Sequence, residues 1–504
     1  MNARHSLKEY IAALEQAGLL TEHTVEDELL AREIECLSYD TRKLTPNALF
    51  VCKGLNFKEE FLRGAMEGGA LAYVSESKYG VDAPCIIVND VRHALSVLGR
   101  LYYNNSMDSL ITAAVTGTKG KSTTVYYIRS ILNDYLHSLG KKDCGLLSSI
   151  NTYDGVIAEE SHMTTPDVLE LYQHFDNANK SGLSHFVLEV SSQALKYGRV
   201  RDMKLSVGAW LNIGLDHISP IEHSNFDDYF SSKLKIFDLC RVGCVNTDAE
   251  HSEEALAAAK ASSCEEVITF GSHESDTVYC ERIDKRDDGL YFTVRSPKYN
   301  GEFSITMPGI FNVSNALCAM AMAMALDIPE ENVRAGLRTA RADGRMEVFQ
   351  SRDGEVTVIV DYAHNKMSFE ALYTSAQREY PGAKLIGIFG AVGGKALQRR
   401  KDLGETASKY ASYIFVAEDD PGEEPFESVA TQIAANVSCP HEIEQDRGVC
   451  MRRAIFDHAG KRVILATGKG AETTMKRKGG YYDYPGDAAY ARALLAEYDE
   501  KKGS

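Results

Sequence analysis

Residues 113–124 read AAVTGTKGKSTT, a pattern typical of a buried strand, a tight glycine loop and the first turn of a helix. A strand that enters a helix through such a loop points several backbone N–H groups and the helix N-terminus at one position, which binds phosphate. Lys121 supplies a charge for the β- and γ-phosphates, and a hydroxyl of Ser122 or Thr123 supplies a Mg²⁺ ligand. The candidate ATP contacts in the loop are Gly117, Thr118, Lys119, Gly120, Lys121, Ser122 and Thr123.

The match to the general phosphate loop is incomplete. That loop has a glycine five residues before Gly120, where this chain has Val115. A glycine turn with an incidental lysine is the alternative. The strand and helix patterns on either side favour a nucleotide-binding loop.

The composition indicates a globular protein that does not bind nucleic acid. The chain has 504 residues, a length typical of about three domains, with 44% hydrophobic and 25% charged residues. Its formal charge is −17, from 72 acidic and 55 basic residues, which argues against nucleic acid or an anionic membrane as the main partner. An acidic protein that binds phosphates needs local cations, so Lys121 and the basic run 395–401 become candidates.

No stretch of the sequence predicts secretion or membrane insertion. Residues 1–10 are polar and lead into an amphipathic helix pattern, so no signal peptide is expected. The longest apolar run, 316–326, is too short to cross a bilayer and is typical of a buried helix. The eleven cysteines are scattered, without CxxC pairs. We expect a cytoplasmic protein with reduced, mostly structural cysteines.

Residues 1–107 are predicted to form a small α/β unit. Apolar periodicity indicates helices at 7–19, 57–68 and 91–103, and strands within 34–51 and at 70–74 and 85–88. The polar turn Asp40-Thr41-Arg42 lies beside a hydrophobic strand and suits a ligand phosphate or hydroxyl. A solvated turn is the alternative for this segment.

Residues 108–343 are predicted to form a second unit around the phosphate loop. Glu189 ends an apolar strand that begins at His185, and Asp216 and His217 follow the strand 207–213. Ligands of open α/β sheets bind beyond the carboxyl ends of the strands, so these groups and the loop are expected to share one site. Glu189 and His217 are candidate Mg²⁺ ligands there. Helix capping is the alternative for each carboxylate.

Other segments of this unit have structural interpretations as well. Thr164 and Thr165 precede a helix expected to begin at Pro166 with Asp167 in its first turn, which predicts either an anion site or a simple cap. Residues 275–306 are expected to form a β-hairpin appendage.

The helices on either side of that appendage carry polar side chains. Asn312 and Asn315 are expected to cap the buried helix that follows it. Lys233 and Lys235, on a predicted helix over 225–239, are interpreted as solvated surface lysines.

Residues 344–504 are predicted to form a second doubly wound parallel sheet, a Rossmann-like unit. Strands at 356–360, 384–389, 413–416 and 462–466 are each followed by a polar loop, and no GxGxxG motif follows the first of them. An NAD-binding domain is therefore disfavoured. Glycines in these loops permit close backbone approach, and their acidic residues predict an amine-bearing substrate, with ordinary turns as the alternative.

Taken together, the motifs resemble the Mur ligases, ATP-dependent amino-acid-adding enzymes of peptidoglycan synthesis, over essentially the whole chain. The matching segments are 116–124, 164–166, 188–192, 212–217, 312–315, 344–347 and 361–364. The missing phosphate-loop glycine is a feature of that family. Residues 40–42, 189–192 and 468–472 are most similar to the MurE-type branch, which acts on UDP-N-acetylmuramoyl-L-alanyl-D-glutamate.

The resemblance implies roles for individual residues, with ATP and Mg²⁺ as cofactors. Lys233 falls on the lysine that becomes N-carboxylated and orients a magnesium ion, and it joins Ser122, Glu189 and His217 as the expected metal site. The expected catalytic residues are Lys121, Lys233, His217 and Glu189. Further nucleotide or interdomain positions are Asn312, Arg345, Asp361 and His364, and the expected UDP-sugar contacts are Thr41, Thr164, Thr165, Ser191 and Arg199.

The loop Asp419-Asp420-Pro421-Gly422 predicts the amino-acid substrate. It lacks the arginine with which diaminopimelate-adding members hold a second carboxylate, and it is more similar to the lysine-adding branch. Ala396 occupies a family arginine position, which leaves Lys395 as the nearest cation for the amino-acid carboxylate. The expected site comprises Lys395, Asp419, Asp420, Pro421, Gly422, Gly468 and Glu472. L-Lysine is predicted, with meso-diaminopimelate or ornithine as alternatives.

The resemblance implies a monomer in which the D-glutamate side-chain carboxylate attacks the ATP γ-phosphate to give an acyl phosphate. The amine of the amino acid then displaces phosphate, and closure of the third unit is expected to complete the site. One alternative is a ligase with another acceptor, such as a folylpolyglutamate synthetase, which the first unit disfavours. A catalytically silent nucleotide or precursor sensor is the other, which the presence of Lys121, Glu189, His217 and Lys233 disfavours.

Overall fold

A computed structural model describes residues 4–54, 57–219, 222–395 and 397–503. Its strands form three large sheets, and each sheet is built from strands of one of the three predicted units. The α/β architecture predicted from the sequence is confirmed. Ala396 lies outside the described residues. Within the described ranges, no helix combines the length and the apolar character needed to cross a bilayer.

The first unit is a five-stranded sheet in the order β1-β5-β4-β3-β2, parallel except for the edge strand β1. Every residue of β3 is buried, as expected for a parallel strand that is covered on both faces. The elements are α1 (Leu7–Gln16), β1 (Leu20–His23), α2 (Asp27–Leu30), β2 (Cys36–Ser38), a 3₁₀ turn (Thr41–Lys43), β3 (Ala48–Val51), α3 (Glu59–Glu67), β4 (Ala70–Ser75), β5 (Cys85–Val88) and α4 (Val91–Tyr102).

The first unit shares a hydrophobic core with the second. Leu7 of α1, Leu95 of α4 and Tyr172 of the second unit belong to one continuous buried cluster. Gly99 of α4 lies so close to the second unit that an added Cβ would be 2.9 Å from the side chain of Leu169. This packing fixes the first unit against the second.

The second unit is an eleven-stranded sheet in the order β16-β15-β14-β13-β12-β11-β6-β10-β7-β8-β9. After a 3₁₀ turn (Ser106–Ser109), its elements are β6 (Ile111–Thr116), α5 (Lys121–Ser138), β7 (Gly145–Leu147), β8 (Asn151–Tyr153), β9 (Ala158–Glu160), α6 (Val168–Lys180), β10 (His185–Glu189), α7 (Ser192–Lys196), β11 (Leu205–Trp210), α8 (Phe226–Leu234), a 3₁₀ turn (Lys235–Leu239), β12 (Cys240–Asn246), α9 (Ser252–Ala261), β13 (Glu266–Gly271), β14 (Val278–Arg286), β15 (Gly289–Arg295), β16 (Gly301–Ile305), α10 (Phe311–Ala325) and α11 (Glu330–Thr339).

The register of the central strands brings the predicted site together. In β6, Val115 pairs with Glu189 of β10, and Thr116 pairs with Trp210 of β11, all in parallel. The carboxyl ends of three neighbouring strands therefore lie at one edge of the sheet, where the phosphate loop begins. Val115 is a buried strand residue, which is why no loop glycine is needed at that position.

Three local predictions for this unit are wrong. Helix α6 begins at Val168, and Asp167 is its N-cap, because Asp167 accepts the backbone N–H of Val168. Residues 275–306 are not an appendage, since β14 pairs with β13 and extends the central sheet. Asn312 and Asn315 lie inside α10 and are not caps; the asparagine side chains bond to Pro308 and to each other.

The third unit is a six-stranded sheet in the order β17-β18-β22-β19-β20-β21, parallel except for β17. Its elements are β17 (Glu347–Gln350), β18 (Val356–Asp361), α12 (Lys366–Glu379), β19 (Lys384–Phe389), α13 (Leu397–Ser408), β20 (Tyr413–Val416), α14 (Phe426–Ala434), β21 (His441–Ile443), α15 (Arg447–Phe456), β22 (Arg462–Thr467), a hairpin of β23 (Thr474–Arg477) and β24 (Gly480–Asp483), and α16 (Asp487–Gly503). Separate buried clusters cover its two faces, so the doubly wound prediction is confirmed.

Candidate active site

The phosphate loop connects β6 to α5 and has the geometry that its glycines require. Gly120 precedes α5 with φ +84°, and an added Cβ there would lie 2.3 Å from the Oδ1 atom of Asn315. Only glycine satisfies both conditions. The Nζ atom of Lys121 turns back over the loop and donates to the carbonyl oxygens of Gly117 at 3.0 Å and Thr118 at 3.3 Å.

A cavity of about 400 Å³ lies between the phosphate loop and the third unit. Its walls combine residues of the second and third units. The predicted residues that line it are Thr118, Lys119, Gly120, Lys121, Ser122, Thr123, Thr164, Glu189, His217, Arg345, Asp361 and His364. Asn312 is buried behind this wall, and the neighbouring Asn315 lines the cavity instead.

Glu189 is the buried acid of this cavity, with 1% of its surface exposed. Its Oε1 atom accepts from Ser149, from the backbone N–H at 2.8 Å and from the hydroxyl at 3.3 Å. The Ser149 hydroxyl also lies 2.9 Å from that of Ser122, and Arg345 of the third unit donates to both serines. Ser149 was not predicted, because a serine in a glycine- and serine-rich segment carries no signal of its own.

Ser122 and Glu189 offer oxygen atoms that fit a magnesium ion. Mg²⁺ in nucleotide sites is held by one or two protein oxygens, with phosphate oxygens and waters as the other ligands. Across the described ranges, no three His, Cys, Asp or Glu side chains form a ready-made metal cluster. The donors therefore suit a metal that arrives with the nucleotide. His217 lines the same cavity, but its Nδ1 atom is hydrogen-bonded to Glu222 at 2.9 Å.

Lys233 is buried, so the interpretation as a surface lysine is wrong for this residue and holds only for the exposed Lys235. The Lys233 Nζ atom donates to the carbonyl oxygen of Gly117 at 2.8 Å and lies 4.7 Å from the centre of the Tyr229 ring. Burial, followed by repulsion from Lys121, holds its pKa well below the usual value for lysine. Asp216 favours the charged form of Lys233, but its effect is smaller than those of burial and Lys121.

Asp216 joins the second unit to the third. Its carboxylate accepts from Arg399 of α13 at 2.5 Å and from the Asn365 amide at 2.5 Å, and its side chain is only 3% exposed. Lys119 of the phosphate loop lies 3.9 Å away. Burial alone would raise the pKa of Asp216, but Lys119 and Arg399 hold it well below its usual value. Asp216 is thus a charged contact that closes the cleft beside the phosphate loop.

Lys119 and His364 extend this contact along the cleft. The two side chains approach within 3.4 Å, and the His364 Nδ1 atom lies 2.8 Å from the carbonyl oxygen of Tyr362, so Nδ1 carries the proton. Burial holds the pKa of His364 well below its usual value and lowers the pKa of Lys119 to about 7. The imidazole is therefore neutral, and a bound polyphosphate would favour the charged form of Lys119.

The pair between Arg399 and Asp216 yields a prediction about closure. Arg399→Gln removes a charged hydrogen bond worth about 1.5–3 kcal/mol, so we expect kcat/KM for the amino acid to fall by about tenfold to a hundredfold. Steady-state kinetics measures this fall. Lys401→Gln, in the same helix α13 and paired only with Glu405, is the matched control and should retain wild-type kinetics.

A double-mutant cycle separates closure from general damage. If Arg399 acts through Asp216, Arg399→Gln combined with Asp216→Asn loses little more than the single variant Asp216→Asn. Additive losses from the two substitutions would contradict the contact.

The predicted UDP-sugar residues form one connected group, except for Thr41. Thr165 donates to the carbonyl oxygen of Glu189 at 2.9 Å, accepts from the backbone N–H of Ser191, and receives a bond from Arg199 on its own carbonyl oxygen at 3.0 Å. Thr41 lies on the partly exposed 3₁₀ turn of the first unit.

The rest of the Thr41 turn behaves as the solvated alternative predicted. Asp40 and Arg42 form an ion pair with each other at 2.8 Å. Lys53 of the first unit forms an ion pair with Asp167 of the second unit at 2.6 Å. This link between the two units was not predicted.

The predicted amino-acid loops come together in the third unit. Gly393 donates to the carbonyl oxygen of Asp420 at 3.1 Å, so the segment that ends at the exposed Lys395 lies against the loop 419–422. Gly468 is needed because an added Cβ would lie 2.3 Å from the Asp419 carboxylate.

A lysine of the chain itself already occupies this acidic cluster. The fully buried Nζ atom of Lys469 binds Asp420 at 2.9 Å and also binds Glu472. Asp419 is buried beside them, and burial raises its pKa to about 7. The expectation that both aspartates face a substrate ammonium therefore needs correction, since Asp420 is bound to Lys469.

A second cavity, of about 450 Å³, adjoins the first. Ser149, Arg345 and Tyr362 line both cavities, and Lys469 and Glu472 line only the second. The Arg345 guanidinium lies 4.3 Å from the centre of the Tyr362 ring, at the junction. The two cavities thus place a nucleotide-sized space next to an acid-lined one.

The basic run 395–401 does not form a phosphate-binding patch. Arg399 is held by Asp216, and Arg400 is buried and bound to Glu424 at 2.6–2.8 Å. These arginines neutralise carboxylates of the protein, which net charge alone cannot reveal.

Comparison with known protein families matches both the second and the third unit. Residues 115–323 match the model described as Mur ligase middle domain, and residues 344–470 match the model described as Mur ligase, glutamate ligase domain. A relative from Enterococcus faecalis, named UDP-N-acetylmuramoyl-L-alanyl-D-glutamate--L-lysine ligase, is 36% identical over 94% of each chain. A UDP-N-acetylmuramyl-tripeptide synthetase from Lactobacillus acidophilus is 33% identical over 98% of each chain.

Solved structures share the fold over most or nearly all of the chain. A UDP-N-acetylmuramoyl-L-alanyl-D-glutamate--2,6-diaminopimelate ligase aligns with a TM-score of 0.69, at 21% identity, over 98% of this chain and 99% of the other. The Mycobacterium tuberculosis folylpolyglutamate synthase, solved with ADP, aligns with a TM-score of 0.58 at 16% identity, over 73% of this chain and 90% of the other. At such identities the likeness concerns the fold alone.

Proposed function

Because the chain belongs to the Mur ligase family, we propose that it adds L-lysine to UDP-N-acetylmuramoyl-L-alanyl-D-glutamate in peptidoglycan precursor synthesis. It is an ATP-dependent ligase of the acid–amino-acid type. The observation that carries the proposal is the single cleft in which the phosphate loop, Glu189 and Arg345 meet, with the acid-lined cavity beside it.

The proposed reaction begins at the phosphate loop. The D-glutamate side-chain carboxylate attacks the γ-phosphate of ATP, which forms an acyl phosphate and releases ADP. Lys121 lies where it can neutralise charge on the transferred phosphoryl group, and Arg345 reaches the same place from the third unit. The α-amine of lysine then displaces phosphate and forms the amide bond.

Ser122 and Glu189 would hold a magnesium ion, which neutralises charge on the phosphates when bound. Both side chains already share Ser149 as a hydrogen-bond partner, so their oxygens are held close together. His217 lines the same wall and is proposed as a further ligand.

Lys233 is proposed to act as a carbamate. Burial, followed by repulsion from Lys121, lowers the pKa of Lys233 and so favours its neutral amine, and a neutral amine can add CO₂ with loss of one proton. The carbamate would place a negative charge near Lys121, whose charge lowers the pKa of Lys233. It would thereby relieve the repulsion between the two lysines.

The substrate peptide and the amino acid are proposed to enter from opposite sides of the cleft. The UDP-sugar is proposed to contact Thr41 in the first unit and the group formed by Thr164, Thr165, Ser191 and Arg199 at the end of β10. We place the unit boundaries at 107/108 and 343/344, and we infer a monomer in the cytoplasm.

The acidic side chains of the third unit support a diamino acid. Lys469 binds both Asp420 and Glu472, so one ammonium group faces two carboxylates. Asp419 lies beside them, where Lys469 and Arg447 oppose the effect of burial on its pKa. One further ammonium group would offset the charge that Lys469 leaves on Asp420 and Glu472. Gly422, where an arginine would favour a dicarboxylate, has no side chain to offer, and Lys395 is proposed to meet the α-carboxylate.

A panel of matched amino acids tests this choice by ATP-dependent phosphate release with the UDP-dipeptide. We expect kcat/KM for L-lysine to exceed that for meso-diaminopimelate by about a hundredfold or more, because the extra carboxylate would be buried without a cation. L-Norleucine, which lacks the ε-amine, should be a poor substrate, and ornithine, one methylene shorter, an intermediate one. Turnover with meso-diaminopimelate alone would contradict the assignment, and no turnover with any amino acid would favour the silent sensor.

A further inference from the structure

Two cysteines far apart in the sequence meet at the edge of the central sheet that lies opposite the phosphate loop. Cys240 is the first residue of β12, and Cys264 lies two residues before β13, the parallel neighbour of β12. Helix α9 connects the two strands and returns the chain to this edge. The two Sγ atoms are 3.5 Å apart.

The surroundings leave room for both sulfur atoms. Two glycines lie beside the sulfur atoms. A Cβ added to Gly208 would lie 2.9 Å from the Cys240 sulfur, and a Cβ added to Gly243 would lie 3.1 Å from the Cys264 sulfur. Both thiols also approach the carbonyl oxygen of Phe237, at 3.9 Å for Cys240 and 3.2 Å for Cys264.

The two thiols differ in access and in acidity. Cys240 is buried and Cys264 is partly exposed. The contact between the two sulfur atoms holds the pKa of Cys264 below its usual value and raises the pKa of Cys240. Cys264 is therefore both the more accessible sulfur and the more readily ionised one.

We propose that Cys240 and Cys264 are a redox-active pair, a modification site at which a hydroperoxide forms a reversible intramolecular disulfide. The Cys264 thiolate attacks one peroxide oxygen, the O–O bond breaks, and Cys264 becomes a sulfenic acid with release of water or an alcohol. The Cys240 sulfur then attacks the Cys264 sulfur and displaces water. Two thiols lose two electrons and two protons, and the peroxide is reduced by the same two electrons.

The distance is compatible with this step. A disulfide has sulfur atoms about 2.0 Å apart, so the pair must close by roughly 1.5 Å. Cys240 is held in β12 by the sheet, whereas Cys264 lies in the loop before β13, so the loop can supply the movement. Cys36 and Cys439 are the other partly exposed cysteines of the described chain. The Cys36 thiol donates to the carbonyl oxygen of Lys43 at 3.5 Å, and Cys439 lies beside the Ser408 hydroxyl.

In the test, the full-length reduced protein is treated with a small excess of hydrogen peroxide. It is then denatured in the presence of a maleimide, which labels free thiols, and the labelled cysteines are mapped by mass spectrometry. We expect two of the eleven cysteines, Cys240 and Cys264, to lose their label and to regain it after treatment with dithiothreitol. A disulfide between other cysteines, or full labelling of both residues, would overturn the proposal.

Single substitutions assign the two roles. Cys240→Ser should stop the reaction at the sulfenic acid, so dimedone is expected to label Cys264. Cys264→Ser should give neither a disulfide nor a dimedone adduct at Cys240, and Cys439→Ser is the matched control that should behave as wild type. Dimedone labelling of Cys439 without labelling of Cys264 in the Cys240→Ser variant would contradict the assignment of Cys264 as the attacking residue.

Discussion

Replacing Lys121 by alanine is expected to lower kcat for ATP-dependent phosphate release by at least about a thousandfold. The Lys121 ammonium lies on the phosphate loop, within 3.0 Å of the Gly117 carbonyl oxygen, and it lines the nucleotide cavity. A methyl group cannot neutralise charge on a transferred phosphoryl group. The measurement is steady-state phosphate release with the UDP-dipeptide and L-lysine at saturating ATP.

This loss should not come from unfolding. The Lys121 ammonium is buried, and it donates to two carbonyl oxygens of the loop at 3.0 and 3.3 Å. Because burial lowers its pKa, the substitution removes an unfavourable buried charge together with those two bonds. The thermal midpoint of Lys121→Ala should therefore match that of the wild type. Lys260→Ala, on the exposed face of α9, is the matched control. Amide formation at the wild-type rate by Lys121→Ala would refute the phosphate-loop assignment.

Replacing Lys233 by alanine is expected to lower kcat by about a hundredfold or more, and short carboxylic acids should restore part of it. The substitution empties a buried space beside the Gly117 carbonyl oxygen, where the Lys233 side chain lies. Acetate bound in that space would replace the negative charge of the carbamate. The measurement is kcat as a function of acetate concentration.

Two controls isolate the charge from the space. Acetamide has the shape of acetate without its charge and should not restore activity. Lys235→Ala removes an exposed lysine two residues away and should retain wild-type turnover. Full activity of Lys233→Ala without any additive, or equal rescue by acetamide, would refute the carbamate.

Much of the fold follows from patterns that are local in the sequence. The apolar strand before Gly117, the helix after Gly120 and the repeated strand–loop pattern beyond residue 344 each predict an element that the structure contains. The positions at which the apolar strands end also predicted that Glu189 lies near the phosphate loop. In the structure, Glu189 pairs with Val115 just before the loop begins. The periodicity of apolar residues and the order of the elements along the chain are sufficient to predict such features.

The partners of charged side chains were not predictable in the same way. Arg399 lies 183 residues from Asp216, and Lys469 lies 49 residues from Asp420, so only the tertiary fold brings these pairs together. The burial of Lys233 is another such case, because its helix pattern does not distinguish a solvated face from one that packs behind the phosphate loop. Only the family resemblance identified that lysine beforehand.

The hairpin predicted at 275–306 is present, but its interpretation as an appendage is wrong for a related reason. Alternating short strands with turns are the same whether a hairpin stands alone or joins a neighbouring sheet. The pairing of β14 with β13 shows that this hairpin joins the central sheet. The sequence of the hairpin alone does not reveal that pairing, because β13 lies outside it.

The central claim is that one ATP is converted to ADP in the cleft, which activates the carboxylate of a UDP-linked dipeptide for attack by a diamino acid. Its most direct test measures phosphate release and the mass of the peptide product in one reaction, with each substrate omitted in turn. We predict that phosphate appears only when ATP, the UDP-dipeptide and L-lysine are all present, in an amount equal to the tripeptide formed. Phosphate release that does not depend on the dipeptide, or release without tripeptide, would contradict the account.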